Sequence, residues 1–382
     1  MDKPCFALRN IPNLCGGMSL GLAMLLVLPR FLDLSRVSSW IPSYYYINYY
    51  RFGFIRRAFI GTLLTPLNMN SALDVRLFAL LAFTAGLAVF AILFWSLFSK
   101  SLVSLASLTL RVRWLLALVF TLSPAIFLHF AYDAGRTDIF WLSCCIAAML
   151  LVLSKQFAFR LKWLGVLFLS LVSLLIYEGS IFFLVPLYVV VLERIDRNNG
   201  LRGSLSYAFL MALFTFAVQY FGAFEEGSEV LADRLSAMAP GLGDPFSIVL
   251  TSDLVKDNIS YSLGLRFNWF GNNPIVFIYV FAWCLILFRL IRFSSDPVRA
   301  GLLLVAPFFG LFLNLIALDY IRYLSLALTL SAVSVLGLLV FDSVAVMGLR
   351  GQGPLLALLV LGCVAGPFGI VPDDALPLNP LS

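Results

Sequence analysis

Charge is scarce in this 382-residue chain. Asp, Glu, Lys and Arg make up 12% of it, against about 25% in ordinary soluble domains. Histidine occurs once, at His129, which excludes a histidine-rich metal site and leaves room only for a carboxylate-held Mg²⁺. Cysteine is sparse and has no metal-ligand spacing. Of Cys5, Cys15, Cys144, Cys145, Cys284 and Cys363, most sit in or beside apolar runs, and they are expected to be small buried hydrophobes. The vicinal pair Cys144–Cys145 falls in an expected helix, where geometry disfavours a bridge. There is no low-complexity tract, no short-period repeat and no lipidation motif. The first apolar run, 14–32, lacks a small-residue cleavage site and is expected to be a retained span.

Apolar residues are abundant instead. They reach 62% of the chain, with a mean hydropathy of +0.98, and runs long enough to cross a bilayer recur along its length. This excludes a soluble enzyme, a disordered chain and a disulfide scaffold. The net charge of +6 is spread over short loops and builds no continuous basic face, so nucleic acid is excluded as a partner. The expected fold is an all-α, polytopic transmembrane bundle, a single membrane domain over 1–382. Spans are expected near 14–32, 74–98, 114–130, 139–154, 163–177, 180–193, 203–222, 273–292, 299–318, 323–346 and 354–371, about eleven in all. A further apolar stretch at 58–67 is too short to span and is expected to be re-entrant or interfacial.

The basic loops set the orientation. With a cytoplasmic N-terminus, the loops near 99–113, 155–162, 194–202, 289–299 and 347–353 lie inside and, with the N-terminal segment, hold 15 of the 26 Lys and Arg. Two long segments, 33–73 and 223–272, then lie outside and contribute to the expected functional face.

The unusual polar residues gather at the outer ends of different spans. The segment YYYINYYRFGFIRRAFIG (44–61) brings Arg51, Arg56 and Arg57 beside five tyrosines, Tyr50 among them. Arginine near hydrocarbon is costly, about 2.5–3.5 kcal/mol at a span centre on insertion scales. Such a cluster calls for a counter-anion, and a lipid-linked phosphate suits the guanidinium fork. Interfacial snorkelling with a tyrosine belt is the alternative. Arginine also outnumbers lysine 21 to 5.

In HFAYDAGRTDIFW (129–141), Asp133, Arg136 and Asp138 are packed into a turn that Gly135 permits, with His129 and Tyr132 alongside. Two carboxylates around one guanidinium are expected to form a local network; the alternative is a solvated loop with a helix cap. In IYEGSIFF (176–183), Glu178 is an isolated acid between apolar spans, beside Tyr177. Desolvation is expected to raise its pKa, which suits a general base; helix capping is the alternative. In ALDYIRYLSLAL (317–328), Asp319 and Arg322 are spaced to share a helix face, flanked by Tyr320 and Tyr323. RFNWFGNNP (266–274) offers Asn268 and Trp269 to a sugar face, or to interfacial anchoring. Arginines that hold a phosphate and acids that activate a hydroxyl fit glycosyl transfer from a polyprenyl-linked donor.

Through GFIRRAFIGTLL (53–64), YDAGRTD (132–138), YEGSIFFLVP (177–186) and LDYIRY (318–323), the chain resembles the bacterial O-antigen and capsular repeat-unit polymerases (Wzy-like), within the broad GT-C type of membrane glycosyltransferase. The resemblance implies a reaction at the periplasmic face of the inner membrane. There a glycan leaves undecaprenyl pyrophosphate and joins a second lipid-linked repeat. It implies pyrophosphate contacts from Arg51, Arg56, Arg57, Arg136 and Arg322. Catalytic or sugar-binding acids would be Asp133, Asp138, Glu178 and Asp319. Tyr50, Tyr132, His129, Tyr177, Tyr320 and Trp269 would line the substrate. The expected partners are the lipid-linked oligosaccharide, membrane lipids and a chain-length regulator, and the transfer is expected to be inverting and free of cofactor or metal. One departure is that the first outer loop holds only Asp33, at its start, where GT-C enzymes using monophosphate donors carry an acidic motif. The alternatives are a GT-C transferase with a polyprenyl-monophosphate donor and, in a different class, a lipid-linked sugar flippase or secondary transporter.

Overall fold

The computed structural model describes residues 3–32, 42–67, 69, 71–123, 125–132, 135–196, 199–222, 224, 226–238, 274–315 and 320–364. Among these the chain is helical, with no strand. A long first helix, α1 (Lys3–Leu32), is followed by three short ones, α2 (Ser43–Tyr46), α3 (Tyr49–Phe52) and α4 (Phe59–Leu64). The next elements are α5 (Ala72–Leu105), α6 (Leu110–Leu122), α7 (Phe127–Tyr132), α8 (Asp138–Leu153), α9 (Phe159–Ile176) and α10 (Ile181–Ile195). The C-terminal half holds α11 (Gly200–Phe221), α12 (Gly227–Met238), α13 (Pro274–Phe293), α14 (Pro297–Val305), α15 (Tyr320–Phe341) and α16 (Gly353–Val364).

Each expected apolar segment overlaps helix where it is described. The segment expected at 114–130 is broken between α6 and α7, that at 299–318 changes from α14 to a 3₁₀ turn over Ala306–Leu315, and that at 323–346 is broken at Asp342, where α15 ends and a 3₁₀ turn over Ser343–Leu349 follows. Among the described residues, four helices are long and apolar enough to cross a membrane: α5, α9, α11 and Arg322–Phe341 of α15. A fifth is reached if the bent pair Ser343–Leu349 and Gly353–Gly362, angled by 76°, counts as one span. The apolar helices Asp138–Leu153 and Pro297–Leu313 are shorter.

Local chemistry sets several boundaries. Ser71 and Asp74 form a reciprocal capping box that starts α5. Asp296 caps α14, with Pro297 at its first position. The short segment at 58–67 folds as α4 plus a 3₁₀ turn over Thr65–Leu67. It docks on α2, and a Cβ at Gly61 would lie 2.0 Å from the Ile47 carbonyl oxygen, so only glycine permits that approach.

Burial orders the helices from inside out. The apolar window of α15 is 89% buried, so α15 is the central helix; that of α11 is only 22% buried. The outward face of α11 presents Leu205, Phe209 and Phe216, a surface suited to lipid tails. Arg322 lies near the start of α15, and Asp342 follows its end. At 1.5 Å per residue the two are about 30 Å apart, the thickness of a bilayer's hydrocarbon core. The polar chemistry divides between these two ends.

Candidate functional site

The Arg322 end collects side chains from four parts of the chain. Between α9 and α10 the helix is interrupted by a 3₁₀ turn, Glu178–Ser180, all of it buried. The break turns the Glu178 carboxylate toward the 53–58 loop. There Arg57 grips it with Nε, 2.8 Å from Oε2 and 3.1 Å from Oε1, and with Nη2 on Oε1. Arg57 Nη1 also donates to Tyr44 Oη at 3.3 Å. Arg57 has φ +63°, in the left-handed region that side chains disfavour, a strain on the order of 1–3 kcal/mol that its contacts must hold in place.

A second forked pair lies beside the first. Arg322 Nε donates to Asp138 Oδ2 at 2.7 Å and Nη2 to Oδ1 at 2.8 Å, while Trp141 Nε1 donates to Oδ1 at 2.9 Å. Tyr177 connects the pairs. The guanidinium carbons of Arg57 and Arg322 lie 5.1 Å and 4.7 Å from its ring centroid, within cation–π range. Its hydroxyl donates to Tyr323 Oη at 3.1 Å. A Cβ at Gly179 would come within 2.6 Å of the Tyr177 ring, so the glycine makes room for this placement.

Arg56 differs from its neighbour. It is 7% exposed, its Nη1 donates to Gln219 Oε1 at 2.8 Å, and its backbone N–H donates to Gly222 O at 3.0 Å. It forms no salt bridge with a described carboxylate, and its Nε has no hydrogen-bond partner among the described residues. Burial lowers its pKa, with Glu178 partly offsetting and Arg57 adding to the effect, yet an arginine stays protonated. It is a buried cation, and Glu178, the acid that acts on it among the described residues, is already held by Arg57. The Ser180 hydroxyl, fully buried in the turn after Glu178, also has no partner among the described residues.

Two expectations are corrected. The Glu178 carboxyl is held below its ordinary value of 4.5, not raised: burial pushes it up, and the Arg57 charge and hydrogen bonds outweigh burial. The forked partner of Asp138 is Arg322, 184 residues away in sequence, rather than Arg136, and Trp141 donates a further hydrogen bond; Arg136 contributes a longer-range attraction.

The remaining expected residues fall as follows. Gly135 has φ +93° and makes the turn before α8, and its carbonyl accepts from Tyr45 Oη at 2.7 Å. Arg51 lies on the rim, with Nη1 on Tyr46 Oη at 2.7 Å, and Tyr50 is 79% exposed. His129 is buried on α7. Tyr132 ends α7 and Tyr320 begins α15. Asp133, Asp319, Asn268 and Trp269 lie outside the described residues. Thus Arg56, Arg57, Asp138, Tyr177, Glu178 and Arg322 are brought together, while Arg51 and Tyr50 stay at the edge.

Sequence reasoning passed over Gln219, Tyr323 as Tyr177's partner, and the whole opposite end. There Asp342 accepts from Ser294 Oγ at 2.7 Å, Ser295 N at 2.7 Å, Ser295 Oγ at 2.8 Å and Val344 N at 3.0 Å. Arg299 bridges Glu193 and Asp296 nearby. The available signal was Asp342 itself, an acid inside the apolar stretch 323–346. Among the described residues, no group of three or more His, Cys, Asp or Glu side chains is placed to hold a metal ion. Compared with protein-family models, curated proteins and solved structures, the chain matches none.

Proposed function

We propose that this chain is a membrane glycosyltransferase that joins undecaprenyl-pyrophosphate-linked oligosaccharide repeats at the periplasmic face of the bacterial inner membrane. The observation that carries the reading is Arg56. A buried guanidinium with no acid of its own among the described residues stands next in sequence to Arg57, at the end of the bundle where Arg322 also lies. Such a site calls for an anion, and a pyrophosphate at the membrane surface supplies one with several acceptor oxygens.

In this reading the helical segments make about eleven crossings, the N-terminus is cytoplasmic, and the Arg57–Glu178 end faces the periplasm. Arg56 and Arg57 hold the pyrophosphate, with Arg51, Arg136 and Arg322 completing a positive surround. Glu178 and Asp138, joined by Asp133 and Asp319, serve the acceptor sugar. The acceptor hydroxyl oxygen bonds to the anomeric carbon of the donor glycan and its proton passes to a carboxylate. The bond from that carbon to the pyrophosphate oxygen breaks, and the leaving group departs with the electron pair, its charge met by the arginines. The reading assigns no cofactor.

Surface-polysaccharide banding in a deletion strain tests it. Loss of a polymerase leaves the core carrying a single repeat, and the intact gene restores the ladder. Loss of a flippase leaves no repeat on the core, and loss of a single-sugar transferase shortens each repeat without ending chain growth. Unchanged banding contradicts the proposal.

A further inference from the structure

Glu178 cannot act as a base while Arg57 holds it. Both of its oxygens accept from that guanidinium, and a carboxylate so engaged binds a proton weakly. Next in sequence, Arg56 has an unpartnered Nε and no carboxylate of its own among the described residues. An anion placed against Arg56 would meet a guanidinium whose Nε is unpartnered among the described residues, and would lie close to one that is committed to Glu178.

We infer that the site works by ion-pair exchange: a pyrophosphate seated on Arg56 draws Arg57 off Glu178, and only then is Glu178 free to take the acceptor's proton. The inference rests on the functional reading above and adds how substrate switches the site on.

Three observations support it. Arg57 stands at φ +63°, a backbone state that its contacts to Glu178 and Tyr44 must maintain, so losing one contact to a competing anion also relieves strain. Glu178 is itself buried, its side chain 10% exposed. Once Arg57 withdraws, desolvation dominates and its proton affinity rises, which turns a spectator carboxylate into a base. Among the described residues, the charged and titratable groups facing Glu178 are Arg57 and Arg56 from the 53–58 loop and Tyr177 from its own turn, with Tyr44 of α2 behind Arg57. Arg56, the other guanidinium of this set, is the one that the pyrophosphate engages in the exchange. The neighbouring Arg322–Asp138 pair lies over the same Tyr177 ring and keeps the frame in place during the exchange.

The test is ligand binding by the full-length chain in nanodiscs, with undecaprenyl pyrophosphate as probe and phosphatidylglycerol as the competing anionic headgroup. Glu178→Gln removes the competitor for Arg57 and is expected to bind undecaprenyl pyrophosphate about tenfold more tightly than wild type, a difference of about 1.4 kcal/mol. Arg56→Gln and Arg57→Gln are each expected to bind it at least about tenfold more weakly. Unchanged or weaker binding by Glu178→Gln, with both arginine variants still impaired, overturns the exchange and leaves the pyrophosphate site standing. No binding by wild type, or an equal response to phosphatidylglycerol, overturns the functional reading and the exchange with it. A measurement on the unaltered chain does not depend on variants folding. Infrared difference spectra should show a shift of the Glu178 carboxylate stretch, missing in Glu178→Gln, when undecaprenyl pyrophosphate is added, and no such shift contradicts the release of Glu178.

Discussion

Arg57 and Glu178, 121 residues apart in sequence, form a forked ion pair that ties the 53–58 loop to the break between α9 and α10. With side chains 13% and 10% exposed, the pair is screened little by water. Removing one partner leaves a buried charge uncompensated, which typically costs about 3–5 kcal/mol. Arg57→Leu and Glu178→Leu should each lower thermal stability in detergent strongly. The double variant should be more stable than the sum of the two predicts, because two buried charges disappear together. Strict additivity in the unfolding midpoints contradicts the pairing.

The same pair gives an acid limit. The folded Glu178 carboxyl lies below its ordinary value of 4.5, so its contribution to stability is fully present above that value and is lost as pH falls through the folded one. The unfolding midpoint should hold level from about pH 7 to pH 5 and then fall. Glu178→Gln should start lower and show a smaller acid-induced loss. An identical slope in both proteins removes Glu178 as the source.

Gly179 is the tightest point of the turn. Its Cβ would sit 2.6 Å from the Tyr177 ring, which Arg57, Arg322 and Trp141 surround. Gly179→Ala should cost about 1–3 kcal/mol through overpacking. Tyr177→Phe loses only the hydroxyl bond to Tyr323 and should cost about 1 kcal/mol. The reverse order, measured by the same unfolding assay, contradicts the packing described.

Asp342 serves as a control from the opposite end. Its replacement by Ala leaves the donors of Ser294, Ser295 and Val344 without their shared acceptor and should destabilise by about 3 kcal/mol. Its distance from Arg322, about 30 Å along α15, means that affinity for undecaprenyl pyrophosphate should stay within about twofold of wild type. A loss of affinity as large as that of Arg56→Gln contradicts the separation of the two ends.

The two-ended charge distribution can be read from outside the cell. In a chain whose native cysteines are replaced, a cysteine at Tyr50, which is 79% exposed at the guanidinium end, should react with a membrane-impermeant maleimide in intact spheroplasts. One at Arg350, exposed beyond the end of α15, should react only after lysis. The opposite pattern reverses the orientation.

Hydropathy made the helices legible, because runs of apolar side chains report burial in lipid or protein wherever they pack. It could not locate the break between α6 and α7, or the change from α14 to 3₁₀ at Ala306, since both lie within continuous apolar stretches. The arginine and acid clusters were legible as costly charges near hydrocarbon. Their pairing was not: sequence proximity suggested Asp138 with Arg136, while the fold supplies Arg322. The sign of the Glu178 shift failed for the same reason, because burial is readable from apolar neighbours but Arg57 arrives from a distant loop. Arg56 and Arg57 are adjacent and chemically identical, and only their contacts separate the cation bound to Glu178 from the one with no acid of its own among the described residues.

Reconstitution shows whether the chain itself forms the glycosidic linkage. Purified protein in liposomes is supplied with an undecaprenyl-pyrophosphate-linked repeat unit from its own host, and both glycan length and released undecaprenyl pyrophosphate are measured. The account predicts a ladder of lengthening glycan with one undecaprenyl pyrophosphate released per linkage, lost in Arg56→Gln and Arg57→Gln proteins that remain folded. A wild-type protein that forms no linkage, or arginine variants that polymerise at the wild-type rate, would contradict it.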